Sequence, residues 1–244
     1  MTDYLFPKNF FWGTASSGPQ TEGRFDGDGK GDNIWDFWYE KEPQRFFNQV
    51  GPDKTSYNYK RFKEDVALMK ATGHNSFRTS IQWSRLIPDG TGEVNPEAVA
   101  FYNAYIDEQI KNGIEPFMNL YHFDMPMSLQ EKGGWLNRET VEAYVHYAKI
   151  CFELFGDRVK YWFTHNEPIV PVEGGYLYDF HYPNEKNLRH AIQVGFNEAL
   201  ASALAIQAYH EDQDGQIGII LNLTPSYPRD ENNSEDVKAA KIAD

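Results

Sequence analysis

Short β-like runs recur along the chain and alternate with longer stretches in which apolar residues have helical spacing. Five such runs are typical of strands, and they cover residues 10–15, 74–80, 114–121, 159–164 and 216–223. Strands that alternate with helical stretches in this way form parallel βαβ units, because a parallel strand needs a crossover connection. The pattern therefore predicts five parallel strands with helices between them.

The helical stretches show both an apolar face and terminal signals. Tyr59, Phe62, Val66 and Met69 fall on one helical face before Gly73, which suits the residue that follows a helix end. Asparagine is a favoured N-cap, and proline is favoured at the first helical position. Further helices are predicted from the cap Asn95-Pro96 to about Gly113, from the cap Asn137 to Gly156, from about residue 188 to 209, and over residues 236–244, where the helix is unfinished.

This alternation predicts an α/β fold, and the strand count decides between two versions of it. A (β/α)8 TIM barrel takes about 250 residues, close to the 244 residues of the chain. Five strands, however, supply only about the first five βα units, and three more would be needed to close the barrel. The alternative is an open doubly wound sheet, which would place a glycine-rich phosphate loop after the first strand. Residues 16–25 contain no such loop.

Composition excludes several classes of partner. The formal net charge is −13 and there is no run of Lys and Arg, so nucleic acid is not expected to bind. No apolar stretch is long enough for a membrane span. The N-terminus has neither a basic region nor an apolar region of the kind found in signal peptides, which predicts a cytoplasmic protein. The single cysteine, Cys151, lies in an apolar run and is expected to be a buried, inert thiol.

The candidate metal-binding motifs in the chain are incomplete. Residues 26–31 resemble the start of a calcium loop, but the twelfth position is Phe37 rather than glutamate. His122 and Asp124 could each ligate a metal, but no second histidine stands at a helical spacing to join them. Neither a metal nor an organic cofactor is therefore expected.

Polar residues follow the strands at the same end of the predicted sheet. Gln20 follows the first strand, Arg78 lies in the second, His122 follows the third, and Asn166 and Glu167 follow the fourth. Trp and Tyr residues are interleaved with them, among them Trp83 and Tyr121. Sugars are bound by such sets, because amides and histidine bind hydroxyls while aromatic rings stack on the apolar sugar face. Each residue taken alone has a structural explanation, and it is their convergence that predicts a sugar site.

Glu167 is the candidate catalytic residue. It stands at the end of the apolar run 159–164, and in a (β/α) barrel that end of a strand carries catalytic residues. A carboxyl group with apolar and aromatic neighbours can act as a general acid near neutral pH.

The chain closely resembles family 1 glycoside hydrolases. Five segments carry the resemblance: residues 6–15 (FPKNFFWGTA) with 20–23 (QTEG), 77–85 (FRTSIQWSR), 121–126 (YHFDMP), 133–138 (GGWLNR) and 164–168 (THNEP). The resemblance implies a (β/α)8 barrel that hydrolyses β-glycosides with retention. It also implies that Glu167 is the acid/base, that Asn166 holds the sugar 2-hydroxyl, that Gln20 and His122 bind other hydroxyls, and that Arg78 orients the nucleophile.

Two departures from the family pattern stand out. His165 occupies a position that is usually aromatic or aliphatic, which predicts an altered environment for Glu167. The family nucleophile, a second glutamate in a Glu-Asn-Gly context, has no counterpart in residues 1–244. These residues are therefore expected to be the N-terminal portion of a single barrel domain, completed by a C-terminal segment or a complementary chain.

Within the family, residues 121–126 and the segment 144–181 resemble the bacterial 6-phospho-β-glycosidases. The resemblance implies a small phosphorylated β-glucoside as substrate. Two alternatives remain open: an unphosphorylated β-glucosidase or β-galactosidase, and an inactive fragment that needs its C-terminal half.

Overall fold

The computed structural model describes residues 4–243, and its centre is one sheet of five parallel strands. The strands are β1 (Gly13–Ala15), β2 (Ser76–Ser80), β3 (Glu115–Tyr121), β4 (Tyr161–Asn166) and β5 (Gln216–Ile220). They pair in sequence order, β1-β2-β3-β4-β5, and every pair is parallel. All five predicted strands are thus confirmed, although β1, β2, β3 and β5 are shorter than predicted and β4 begins and ends two residues later.

Helices fill the connections between the strands. They are α1 (Gly18–Thr21), α2 (Ile34–Lys41), α3 (Asn58–Ala71), α4 (Trp83–Leu86), α5 (Pro96–Lys111), α6 (Met127–Gln130), α7 (Arg138–Phe155), α8 (Ile169–Tyr176), α9 (Leu188–Asp212) and α10 (Ser234–Ala243), with 3-10 turns at Pro43–Arg45, Phe47–Gln49 and Gly134–Leu136. The last position of the helix predicted over residues 236–244 lies outside the described residues. No described helix is both long and apolar enough to cross a membrane.

The helix termini follow the predicted signals. The side chain of Asn95 accepts a hydrogen bond from the backbone N–H of Glu97, and Asn137 does the same for Glu139. Each cap satisfies a backbone donor that has no partner within its helix. Gly73 and Gly113 follow α3 and α5 with φ of 84° and 72°, the left-handed conformation that glycine adopts without steric cost.

The main core lies between the sheet and the layer formed by α3, α5, α7 and α9. In β3 and β4, Met118, Leu120 and Trp162 point into this layer and are at most 1% exposed. Cys151 of α7 is buried among them, as predicted, and burial raises the pKa of its thiol. Burial of this kind stabilises the fold by about 25 cal/mol for each Å² of apolar surface removed from water.

The opposite face of the sheet is lined by aromatic rings. Phe117 and Tyr161 stack 4.5 Å apart, and Phe11 lies edge-on to both, at 5.0 and 5.4 Å. With Phe163 and Ile217, these residues line a hollow of about 370 Å³. Phe11 remains 44% exposed. In the (β/α)8 class this inward face is packed by side chains from the other strands.

We expect the polypeptide 1–244, expressed by itself, to self-associate. Its aromatic inner face is only partly covered, and β1 and β5 each pair on one side only within the described residues. Open strand edges and large apolar patches both favour association. Sedimentation velocity across a concentration series measures this directly, and association should weaken in Phe11→Ser.

Phe47→Ser is the matched control, because Phe47 is 88% exposed but lies outside the sheet. A compact monomer at all concentrations, or equal effects of the two substitutions, would contradict the expectation.

Candidate active site

Strand register brings the predicted polar residues to one edge of the sheet. Ala15 pairs with Arg78, Ser80 with Asn119 and Tyr121 with His165, so the ends of β1 to β4 lie at one edge of the sheet, each one or two residues short of the end of the next strand. Gln20 lies in α1 just after β1, and Glu167 directly follows β4. Because all the strands run in one direction, their carboxyl ends form a single rim, which is where barrel enzymes place their sites.

Arg78 and His122 are in direct contact at this rim. Nη1 of Arg78 donates to the carbonyl oxygen of Ser16 at 2.9 Å and lies 3.4 Å from Nδ1 of His122. Burial lowers the pKa of Arg78, while the nearby charge of Glu167 acts in the opposite direction. Within residues 4–243 no carboxylate forms an ion pair with Arg78 at 4 Å or less.

His122 is neutral in this environment. It is 7% exposed, and burial, together with the positive charge of Arg78, lowers its pKa to about 3. A neutral imidazole has one donor and one acceptor nitrogen, which suits it to binding a hydroxyl.

A cavity of about 310 Å³ lies beside His122. Gln20 and His122 provide polar groups in its wall, and Trp35, Phe46 and Phe123 provide aromatic ones. This combination of a few polar groups with aromatic rings is typical of a small-molecule pocket. Arg78, Asn166 and Glu167 are not part of this wall, and Arg78 reaches it through His122.

Glu167 is held by its backbone at the end of β4. Its N–H donates to the carbonyl oxygen of Ile220 at 2.8 Å, and its own carbonyl oxygen accepts from the N–H of Val170 at 2.8 Å. Its φ is 44°, a left-handed conformation that costs a non-glycine residue about 1–3 kcal/mol and tends to occur at functional sites. Phe123, after β3, has a φ of 70°, so two adjacent strands end in the same unusual conformation.

An irregularity in β4 directs the residues before Glu167. The register between β4 and β5 shifts between Phe163 and Asn166, and such bulges re-aim side chains near active sites. Asn166 is 3% exposed. His165 packs behind the strand, with its ring 4.8 Å from Tyr144 and 5.4 Å from Trp135. The unusual His165 thus lies in the interior rather than in the cavity.

Trp83 does not offer a sugar platform, contrary to the sequence-based grouping. Its side chain is 0% exposed and stacks on Tyr147 at 5.2 Å, and its indole N–H donates to the carbonyl oxygen of Gly90 at 3.1 Å. The short helix that Trp83 begins turns the ring into the core. Trp35, which sequence reasoning did not single out, lines the cavity instead.

The supporting roles of two acidic residues, Asp124 and Glu22, were not predicted from the sequence. The carboxylate of Asp124 accepts from the backbone N–H of Trp83 at 2.7 Å and from that of His122 at 3.2 Å. It therefore joins the ends of β2 and β3, and burial raises its pKa to about 7. The carboxylate of Glu22 accepts from Arg85 and from Gln82, each at 2.6 Å. For Asp124, the available signal in the sequence was its polar side chain two positions beyond His122.

No group of three or more metal-ligating side chains occurs among residues 4–243. The chemistry available at the rim is that of carboxyl, guanidinium, imidazole and amide groups. Parallel βα units with these groups beside aromatic rings at the strand ends are the arrangement of a (β/α)8-barrel enzyme.

The chain belongs to glycosyl hydrolase family 1, whose sequence model matches residues 2–244. It is 67% identical over 242 residues to the 6-phospho-beta-glucosidase GmuD of Bacillus subtilis, covering 99% of this chain and 52% of that protein. It is 40% identical over 244 residues to beta-glucosidase A of Acetivibrio thermocellus, covering 100% of this chain and 54% of that protein. The chain thus spans about half the length of these relatives.

Solved structures agree with the fold. The family 1 β-glucosidase of Thermotoga maritima in complex with isofagomine lactam superimposes with a TM-score of 0.93 at 39% identity, covering 97% of this chain and 53% of that one. These likenesses confirm the predicted barrel class and family.

We expect Asp124→Ala to destabilise the complete protein by about 2–6 kcal/mol. The substitution leaves two buried backbone N–H groups, those of Trp83 and His122, without their acceptor, and each such loss costs about 1–3 kcal/mol. Urea unfolding measures the free energy.

Asp89→Ala provides the control, because the carboxylate of Asp89 also accepts two backbone N–H groups, those of Thr91 and Gly92, but is exposed. Water can replace it there, so the expected loss is below about 1 kcal/mol. Equal losses for the two variants would show that Asp124 is not an internal support.

Proposed function

We propose that the protein containing this chain is a retaining β-glycosidase that hydrolyses 6-phospho-β-glucosides, with Glu167 as its acid/base. The observation that carries the proposal is the position of Glu167. It follows β4 in a left-handed conformation, at the rim that also holds Arg78 and His122.

Glu167 would act twice in such a reaction. In the first step its carboxylic acid protonates the glycosidic oxygen, while a second carboxylate forms a covalent bond to the anomeric carbon and the aglycone leaves. In the second step the Glu167 carboxylate removes a proton from water, whose oxygen replaces the second carboxylate on the sugar. Retaining enzymes hold the two carboxyl groups about 5–5.5 Å apart.

Arg78 would orient that second carboxylate. Its guanidinium is half-buried, and its lowered pKa reflects the cost of holding a charge there. A carboxylate brought to this point would pair with a cation that makes no ion pair at 4 Å or less with any carboxylate of residues 4–243. The nucleophile itself is assigned to no residue of 1–244, so the activity belongs to a protein in which a further segment or a complementary chain supplies it.

Three further residues would bind the sugar. Gln20 and His122 line the cavity and offer groups for two hydroxyls, with aromatic rings beside them. Asn166 stands next to Glu167 and would hold the 2-hydroxyl. Hydrogen bonds to that hydroxyl strengthen in the transition state of glycoside hydrolysis. The chemistry requires neither a metal nor an organic cofactor.

Two relatives whose names specify phosphorylated glucosides support the proposed phosphorylated substrate. Besides the 67% identical 6-phospho-beta-glucosidase, an aryl-phospho-beta-D-glucosidase of Bacillus subtilis is 38% identical over 241 residues. A charged sugar phosphate does not cross a membrane unaided, so the enzyme would act in the compartment where its substrate is formed, which we propose to be the cytoplasm. An unphosphorylated β-glucosidase is the second candidate, because beta-glucosidase A of Acetivibrio thermocellus is 40% identical.

In the complete protein, Glu167→Gln should abolish most hydrolysis of glycosides with poor leaving groups but spare more of the activity on activated aryl glycosides. An activated leaving group needs little protonation, whereas general acid catalysis otherwise contributes about 10²–10⁴-fold. The measurement is kcat/KM on a series of aryl glycosides of increasing leaving-group pKa.

Glu173→Gln, in the following helix, is a suitable control and should leave that series unchanged. Equal losses across the series for Glu167→Gln would remove Glu167 from the acid role while leaving the family assignment intact.

The complete protein should prefer aryl 6-phospho-β-glucosides over aryl β-glucosides by about 10²–10⁴-fold in kcat/KM, since hydrogen bonds to charged groups contribute about 1.5–3 kcal/mol each. Polar groups that bind a phosphate are left unpaired by the plain sugar. Comparable kcat/KM values for the two substrates would favour the general β-glucosidase.

A further inference from the structure

Five charged side chains of α4 and of the connection after β1 form a buried charge network. Its members, in order of contact, are Glu22, Arg85, Asp28, Lys30 and Asp36, and each is at most 6% exposed. Charged residues are almost never buried to this extent unless they are paired. Here Nε of Arg85 donates to Glu22 at 2.6 Å and its Nη1 donates to Asp28 at 2.9 Å, while Nζ of Lys30 donates to the carboxylate of Asp36.

Asp28 joins the two halves of the network. One of its carboxyl oxygens accepts from Arg85, and the other accepts from the backbone N–H of Lys30 at 2.9 Å. Burial acts to raise the pKa of Asp28, but the hydrogen bonds from Lys30 and Arg85 outweigh it and lower the pKa. Asp28 is therefore a carboxylate at neutral pH, and the contacts are continuous from Glu22 to Asp36.

The Glu22 end of the network holds α1, the single helical turn that carries Gln20. The backbone N–H of Glu22 donates to the carbonyl oxygen of Gly18 at 2.9 Å, which closes the turn. At the start of the turn, the N–H of Gly18 donates to Oγ of Ser80 at 2.8 Å. Gln20 lies between these two fixed points, and its Oε1 accepts from Oγ of Ser17 at 2.9 Å. A displacement of Glu22 would therefore move Gln20.

The carboxylate of Glu22 is itself fixed by three buried donors. Besides Arg85, Nε2 of Gln82 donates to it at 2.6 Å and the hydroxyl of Tyr102 donates at 3.0 Å. Arg85 and Gln82 follow β2, and Tyr102 belongs to α5. The position of Glu22 is thus set by the sheet and by the helix layer together.

The Asp36 end of the network holds Trp35. The carboxylate of Asp36 accepts from the backbone N–H of Asn33 at 3.1 Å, and the side chain of Asn33 accepts from the N–H groups of Trp35 and Asp36 at 2.9 and 3.1 Å. This reciprocal capping box fixes the first turn of α2. Trp35 is the second residue of that helix, so its ring leaves a turn that the network anchors.

Stability alone does not account for so many buried charges. Replacement of a buried ion pair by apolar side chains is often neutral or stabilising, whereas removal of one partner is costly. What the two ends of the network share is the cavity, because Gln20 and Trp35 both line it. They supply a polar group and an aromatic ring that are fifteen positions apart in sequence and belong to different helices.

We propose that Arg85 is a positioning residue of the sugar cavity, which holds Gln20 through Glu22 and holds Trp35 through Asp28, Lys30 and Asp36. The role rests on the proposed function, since it assumes that the cavity binds the sugar. One guanidinium can hold both branches because its planar fork donates in several fixed directions, which a lysine ammonium cannot reproduce.

Double-mutant cycles in kcat/KM test whether the network acts through the two cavity residues. In the complete protein, with an aryl 6-phospho-β-glucoside as substrate, Glu22→Gln and Lys30→Met should each lower kcat/KM by about two- to tenfold, the contribution of one hydrogen bond. The Glu22→Gln loss should disappear when Gln20 is already Ala, and the Lys30→Met loss should disappear when Trp35 is already Ala. Losses that persist in these backgrounds would overturn the positioning role, because coupling is what distinguishes it from a general effect on the fold.

Crossed pairs test the assignment of the two branches. Glu22→Gln with Trp35→Ala, and Lys30→Met with Gln20→Ala, should each retain most of the separate losses. Arg85→Lys should affect both branches, so its loss should become smaller in either alanine background. Coupling that is equal in the matched and the crossed pairs would overturn the two-branch arrangement.

Arg61→Lys is the matched control for Arg85→Lys. Nη2 of Arg61 lies 2.9 Å from Glu64, but the side chains of this pair are 57% and 65% exposed. Because exposed ion pairs contribute little, kcat/KM should not change. A loss equal to that of Arg85→Lys would show that the substitution reports something other than the buried network.

Tyr102→Phe covers the case in which Glu22→Gln does not fold. It removes one hydroxyl that donates to Glu22 and keeps the ring, and its smaller loss in kcat/KM should likewise disappear in the Gln20→Ala background. A loss that remains there would overturn the Glu22 branch.

The alanine variants separate failure of this role from failure of the proposed function. If Gln20→Ala and Trp35→Ala leave kcat/KM unchanged, the cavity is not the sugar site, and the proposed sugar contacts fail together with the positioning role. If they lower kcat/KM while Glu22→Gln, Lys30→Met and Arg85→Lys do not, only the positioning role fails.

Discussion

Parallel pairing of the five strands is the constraint on which the rest of this structure depends. A parallel strand cannot follow its predecessor through a tight turn, so each connection must cross the sheet with a helix. The helices α3, α5, α7 and α9 consequently form one layer, and the strand ends form one rim. Residues as distant in sequence as Gln20 and Glu167 thereby come to the same edge of the sheet.

The rim is built on loops, and buried ionic contacts hold the loops in place. Arg85, after β2, donates to Glu22 at 2.6 Å and to Asp28 at 2.9 Å, both from the connection after β1. Burial alone would lower the pKa of Arg85, but the charges of Glu22 and Asp28 outweigh it and raise the pKa. Such contacts are a weak source of stability but are costly to break once formed. They fix the first loop beside the cavity.

The sequence predicted the fold well because its signals are local. Asparagine caps, glycine after helix ends and short β-like runs are each determined by a few neighbouring residues, and the strands and helices they predicted are present. The direction of the Trp83 side chain could not be predicted from such local signals. Its place in the motif suggested a sugar platform, yet the short helix it begins directs the ring onto Tyr147. Ring direction depends on tertiary packing, which no local pattern contains.

His165 gives the complementary case. Sequence reasoning identified it as unusual, and expected it to change the surroundings of Glu167. Alternation along a regular strand would place His165 on the face opposite Thr164, but the bulge between Phe163 and Asn166 breaks that alternation. The imidazole is therefore packed among Tyr144 and Trp135 rather than in the cavity beside His122. A polar residue in a core reduces stability unless a partner satisfies it, so a histidine at this position carries an energetic cost that the sequence pattern alone does not reveal.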